Sequence, residues 1–238
     1  MQGRLSQQIN NQIQAFPKDS WTNEFQLAKK IGFDTIEWIY DLVPNNPILS
    51  ENFMLINQLE NKFDVSINSV CADYFMKNLL FNRPENEIEQ NLDSLSALIK
   101  NCYKLSIPII EIPLVDSSSL KNTCHKEELI TNLSKVLPLA KEHGITLALE
   151  TDLNPYDFNE LLESFEHSIM ANYDIGNSTA NGFSTELELK ILKKWVINVH
   201  VKDRILFGTT VPLGTGDVNF NSFFSNLQKI NYSGDLII

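Results

Sequence analysis

Apolar residues in this 238-residue chain follow two alternating patterns. Short β-branched runs read as strands over Gln2 to Ser6, Thr35 to Tyr40, Val65 to Cys71, Pro108 to Val115, Thr146 to Thr151, Ile169 to Ile175, Val196 to Val201 and Gly234 to Ile238. Longer amphipathic runs lie between them. Trp21 to Ile31 is the clearest, with Phe25, Leu27, Ala28 and Ile31 near a 3.6 period and Gly32 as a stop. The other predicted helices are Ser50 to Phe63, Pro84 to about Leu105, Lys126 to His143, Tyr156 to Phe165, Thr185 to Trp195 and Phe220 to Ile230. Pro84 occupies a favoured first-turn position, and Gly144 closes the fourth helix.

Eight strands alternate with seven helices. The strands are nearly continuous apolar runs, which argues for a parallel sheet covered on both faces. Eight such units predict an α/β (β/α)8 TIM barrel that lacks its last helix, as one domain over residues 1–238. The length is close to the roughly 250 residues of such barrels. The first βα unit carries no GxGxxG, so a dinucleotide-binding sheet lacks its fingerprint.

Composition narrows the function. Hydrophobic content is 43% and net charge is −11. That balance argues against nucleic acid as the main partner, because phosphate binding needs a basic face. Cys71, Cys102 and Cys124 are odd in number and far apart, so they form neither a disulfide framework nor a zinc ribbon. Cys71 reads as a small buried hydrophobe. The N-terminus has no apolar core of a signal peptide, and no run is long enough to span a bilayer. A cytoplasmic location is expected.

Barrel active sites gather residues from the C-terminal ends of strands. The fifth strand ends in Glu150, the sixth in Asp174, and the seventh carries His200, Lys202 and Arg204. The spacings approximate one βα unit each, so these residues are expected at one rim. Glu, Asp and His together suit a divalent cation such as Mn, Co or Zn, and Mg less well. Glu37, Asp73 and Glu111 fall near the same rim. Glu111 sits mid-strand, either as a buried ion pair or as a further carboxylate for the site. Lys202 is the expected electrostatic handle, and Arg204 either clamps an anion or pairs with Asp203. Trp38, Tyr40, Tyr74 and Phe75 either wall a sugar pocket or pack the core. The Gly214 to Gly216 loop is either a phosphate cradle or a plain turn.

Leu-Ala-Leu-Glu150, Tyr-Asp174-Ile-Gly-Asn177 and Val-His200-Val-Lys202-Asp-Arg204 resemble consecutive strand-end motifs of the sugar phosphate isomerase/epimerase superfamily of xylose-isomerase-like barrels. Pro212 to Phe220 is similar to that family's loop after strand seven. The likeness is best from Ile145 to Phe220. It implies one divalent cation held by Glu150, Asp174, His200 and a further Glu from strand eight, which would fall beyond Ile238. Many members carry histidine where this chain has Asn177, and Asn suits a sugar hydroxyl better than a cation. Family analogy adds a homo-oligomer.

The expected activity is isomerisation or epimerisation of a sugar or sugar phosphate through a metal-stabilised enediolate. Glu150 would be the base and Lys202 a second catalytic group. Glu111, Asn177, Arg204, Trp38 and Asp73 are the expected substrate contacts. A sugar-acid or inosose dehydratase could use the same site, and a non-catalytic sugar-binding barrel is the third reading. An abasic-site endonuclease shares the fold, but four histidines and the acidic charge speak against it. The expected partner is a small molecule, with neither nucleic acid nor membrane.

Overall fold

The computed structural model describes residues 5–6, 14–50 and 53–238. The chain divides into two compact units, Met1–Pro113 with Asn122–Leu147, and Leu114–Lys121 with Ala148–Ile238.

In chain order, the first unit holds α1 (Trp21–Ile31), β1 (Thr35–Ile39), α2 (Phe53–Phe63), β2 (Ser66–Cys71), α3 (Glu85–Lys104), β3 (Ile109–Leu114), α4 (Thr123–Ser134), α5 (Leu137–Glu142) and the start of β4 (Thr146–Thr151). β1 pairs parallel with β2, and β2 with β3. The Thr146 N–H donates to the Pro108 carbonyl, which starts β4 beside β3. α1 ends as its sequence dictates. Gly32 takes φ 102°, and its N–H caps the Ala28 and Lys29 carbonyls. The face carrying Phe25 and Ala28 is fully buried. The expected strand Gln2 to Ser6 lies outside the described residues except for Leu5 and Ser6, whose N–H groups both donate to the buried Glu24 carboxylate. The helix expected over Lys126 to His143 is two helices instead. Pro138 has no N–H and its ring would strike the Ser134 carbonyl, so α4 stops there and α5 restarts with Pro138 in its first turn.

The second unit holds the rest of β4, then α6 (Pro155–Glu163), β5 (Ile169–Asp174), α7 (Ile175–Ala180), α8 (Thr185–Leu192), β6 (Val196–His200), β7 (Asp203–Arg204), β8 (Thr210–Val211), α9 (Phe220–Lys229) and β9 (Leu236–Ile237). Its main strands run in the order β4-β5-β6-β9. β5 pairs parallel with β6, and β6 with β9. β7 and β8 make a separate antiparallel hairpin. α6 starts on Asn154, whose side chain accepts from the Tyr156 and Asp157 N–H groups, with Pro155 behind it. Trp195, Leu162, Ile169, Leu189, Val199 and Phe223 are fully buried. Each such side chain contributes roughly 1.5–3 kcal/mol by leaving water.

Within each unit every main strand is the parallel neighbour of the next in sequence. The order never reverses, as it would at the switch point of a doubly wound sheet. Among the described residues, no helix is long and apolar enough to cross a membrane.

Candidate active site

A parallel strand covered on both faces is normally apolar throughout. The second unit breaks that rule on one face. Side chains alternate along a strand, so Asn172 and Asp174 of β5 share a face while Ala171 and Tyr173 take the other. The β5–β6 register sets Asn172 opposite Asn198 and Asp174 opposite His200. With Glu150 from β4, this makes five polar side chains, each at most 5% exposed. Burial of that many polar groups is costly unless they bind one another or a ligand.

They do bind one another. His200 Nδ1 lies 3.1 Å from Glu150 Oε2 and 3.7 Å from Asp174 Oδ2. Asn172 Nδ2 donates to Glu150 Oε2 at 2.5 Å, and Asn177 Nδ2 donates to Glu150 Oε1 at 2.5 Å. Asp174 is also the N-cap of α7, its Oδ1 accepting from the Asn177 N–H at 2.9 Å. Lys202 Nζ stands 2.9 Å from Asp174 Oδ2. Burial alone would raise the Asp174 carboxyl. The Lys202 charge, the His200 ring and the Asn177 amide reverse that and hold it well below the usual carboxylate range. The three expected cation ligands therefore face a common centre.

Two glycines allow close approaches of the chain around these residues. A Cβ on Gly176 would lie 2.8 Å from Lys202 Cβ and 3.2 Å from Asp174 Oδ1, so only glycine lets α7 begin against the chain after β6. A Cβ on Gly216 would collide with Asp203 Oδ1. The loop there folds onto Asp203, whose carboxylate accepts from the N–H groups of Gly214, Gly216 and Val218 at 2.8, 2.9 and 3.2 Å. Burial pushes that carboxyl up, but the backbone donors hold it below its ordinary value. Asp203 is thus not the partner of Arg204. The Arg204 guanidinium instead donates to Asn177 Oδ1 at 2.6 Å and to the Gly208 carbonyl at 2.9 Å.

The remaining candidates belong to the first unit. Trp38 packs in the core of the first unit. It is 3% exposed, its indole N–H donates to Asn46 at 2.9 Å, and its ring packs on Phe16 and Trp21. Asp73 accepts from Gln14 Nε2 at 2.6 Å and from the Cys71 thiol at 3.3 Å. Glu111 is fully buried and in register with Cys71. Glu37, also fully buried, accepts from Ser69 Oγ at 2.7 Å. Burial, then Asp73, Glu111 and Glu37, push the Cys71 thiol far up, so it is no nucleophile. Tyr40 and Tyr74 stack with ring centroids 5.0 Å apart.

Asn172 and Asn198 escaped the reading of strand ends. Stepping two residues inward from Asp174 and His200 on the same face would have found both. Glu188 also escaped. It accepts from Tyr173 Oη at 2.9 Å and from Ser178 Oγ, beneath α7.

A family model described as xylose isomerase-like TIM barrel matches residues 25–238. The probable L-ribulose-5-phosphate 3-epimerase of Mycoplasma pneumoniae is 26% identical over 241 residues, covering 95% of this chain and 76% of that protein. Among solved structures, D-psicose 3-epimerase from Clostridium cellulolyticum, crystallised with D-tagatose, superposes with a TM-score of 0.72 at 18% identity, over 91% of this chain and 78% of that one. The IOLI protein, crystallised with a zinc atom, gives 0.72 at 19% identity, over 90% and 81%. With the model spanning nearly the whole chain, this protein belongs to the xylose isomerase-like TIM-barrel family.

Proposed function

We propose that this chain is a sugar epimerase or isomerase whose chemistry begins with proton removal beside a ketose carbonyl, with Glu150 as the base. The observation that carries this reading is the convergence of Glu150, Asp174 and His200 from three successive parallel strands, at 3.1 and 3.7 Å from one imidazole nitrogen. Two carboxylates and an imidazole, all buried, fit one divalent cation, and that donor set suits Mn, Co or Zn better than Mg. The buried Asn172 Oδ1 makes no hydrogen bond among the described residues, which leaves an acceptor in the cluster for a ligand. When bound, the cation would supply a Lewis acid that polarises the sugar carbonyl.

The chain's own residues do the rest. Asn172 and Asn177 fix both Glu150 oxygens, so the base meets the C–H bond already oriented. Proton transfer to a held carboxylate yields the enediolate, and protonation of the same carbon by a second acid on the opposite face gives the epimer, Glu150 keeping the proton it removed until solvent takes it. The Lys202 ammonium, held 2.9 Å from Asp174 Oδ2, is the nearby positive charge for a sugar oxygen that gains negative charge. The relative and the solved neighbour named as 3-epimerases support this reaction class, and the zinc-bound neighbour supports the cation. The substrate is then a small ketose or its phosphate.

The test is incubation with Mn²⁺ in heavy water, separately with D-psicose, D-tagatose, D-fructose and L-ribulose-5-phosphate, followed by NMR. Deuterium entering at the carbon next to the carbonyl, with appearance of the epimer, is expected for at least one sugar. Glu150→Gln should slow that exchange by about 10²–10⁴-fold. Exchange at wild-type rate in the variant removes Glu150 as the base. A product lacking one water assigns the chain to dehydration instead.

A further inference from the structure

Asn177 stands where the resembled family often carries histidine, and the structure gives it a definite task. Its side chain bridges two groups of opposite hydrogen-bonding character. The Arg204 guanidinium can only donate, and the Glu150 carboxylate can only accept. An amide between them must turn its oxygen to Arg204 and its nitrogen to Glu150, as found at 2.6 and 2.5 Å. Its orientation is therefore dictated from the Arg204 side. Arg204 is itself fixed, because its second nitrogen donates to the Gly208 carbonyl at 2.9 Å within its own hairpin. That hairpin is tied a second time to α7, through the Phe207 N–H on the Ala180 carbonyl at 2.9 Å. The chain of contacts thus runs from the β7–β8 turn through a guanidinium and an amide to one oxygen of the candidate base.

We propose that Arg204 and Asn177 act as a single positioning unit for Glu150, with Arg204 acting on the carboxylate only through the Asn177 amide. Both residues were expected to contact substrate, and this assignment replaces that role. It rests on the reading of Glu150 as a cation ligand and base. A positioning unit behaves differently from two substrate contacts. Breaking either member releases the same carboxylate oxygen, so the losses overlap and do not add. Outer-sphere partners of cation ligands typically affect metal affinity by about 10–100-fold when removed.

The experiment uses the metal-free full chain as wild type, Asn177→Leu, Arg204→Leu and the double variant, each titrated with Mn²⁺. Each single variant is expected to bind Mn²⁺ roughly 10-fold more weakly, and the double variant no more weakly than the worse single one. Additive losses, or unchanged Mn²⁺ affinity in Arg204→Leu, overturn the proposal. A second readout needs no metal. The side-chain amide NMR signals of Asn177 should move on Glu150→Gln, which removes the carboxylate charge at one end of the bridge, and again on Arg204→Leu, which removes the other end. Signals that ignore Arg204→Leu overturn the proposal even if Mn²⁺ binds. Signals that respond to both changes in a protein that binds no Mn²⁺ uphold the positioning unit and dismiss the cation. Should Arg204→Leu fail to fold, Arg204→Lys replaces it. It keeps one donor and loses the fork, and the same overlap with Asn177→Leu is expected.

Discussion

Tyr173 and Asp174 are consecutive on β5 and look in opposite directions: Asp174 enters the cluster with His200, while the Tyr173 hydroxyl donates to Glu188 at 2.9 Å. One strand end therefore joins two buried polar networks, one on each face of the sheet. Ser178, which also donates to Glu188, directly follows Asn177 on α7. The far network thereby anchors the helix that carries a residue of the near one.

Glu188 should make stability depend on pH. Burial raises its carboxyl to about 7, against the lowering effect of Ser178 and Tyr173. In the unfolded chain it titrates near 4.3, so between about pH 4.3 and 7 the unfolded state releases a proton that the folded state keeps. Stability from this group is full below that window and is lost as pH rises through it, by about 4 kcal/mol in all. Glu188→Gln cannot ionise and should flatten that slope. Urea unfolding at about pH 5 and about pH 8 checks this. An equal loss in variant and wild type would contradict the assignment.

Lys202→Met should act in the opposite pH direction. Asp174 is held below its ordinary range, so its stabilisation is present above the unfolded value of about 3.9 and fades as pH falls toward the folded one. Without the ammonium, the carboxylate is left buried and less well paired. The expected cost in metal-free protein at neutral pH is about 2 kcal/mol, less than for a fully buried pair because Lys202 is partly exposed. The deficit relative to wild type should shrink on acidification below about pH 4, when Asp174 becomes neutral in the variant. A deficit independent of pH would mean that packing, and not charge, holds Lys202.

Gly176→Ala should be disproportionately harmful for a single methyl. The new Cβ meets Lys202 Cβ at 2.8 Å and its backbone carbonyl carbon at 3.2 Å, neither of which is the free end of a side chain. Overpacking of this kind costs about 1–3 kcal/mol. A crystal structure of the variant should show Lys202 displaced from Asp174. Thermal unfolding within about 0.5 kcal/mol of wild type would show that the segment yields easily.

Asp203→Ala should loosen the loop of residues 212–218 and leave the strands intact. The Gly214, Gly216 and Val218 N–H groups lose their acceptor. Hydrogen exchange at Gly214 and Gly216 should accelerate at least 10-fold, with β5 and β6 amides unchanged. Asp203→Asn keeps one acceptor oxygen and should fall between the two.

Much of the architecture was legible because period is a local property. The runs carrying Glu150, Asp174 and His200 are strands in both readings, and their side chains meet at the His200 imidazole. What escaped depends on distant partners. Glu188 sits in Glu-Leu-Glu-Leu-Lys, where it looks like one more solvated acid; only the tertiary fold reveals it as 4% exposed. α7 spans six residues and β7 two, too short for any periodic signal. Trp38 offered aromatic area suited to either a sugar or a core, and packing on Phe16 and Trp21 decided it. The break at Pro138 was readable from the proline alone, had the ring been set against the carbonyl four residues earlier.

A run of backbone N–H groups around two glycines is the usual invitation to a phosphate. In this chain the invitation is already answered by Asp203, an anion supplied from within. A guest phosphate at that loop would have to evict a carboxylate and would exchange one negative charge for another. A phosphorylated ligand would therefore need its counter-charge elsewhere.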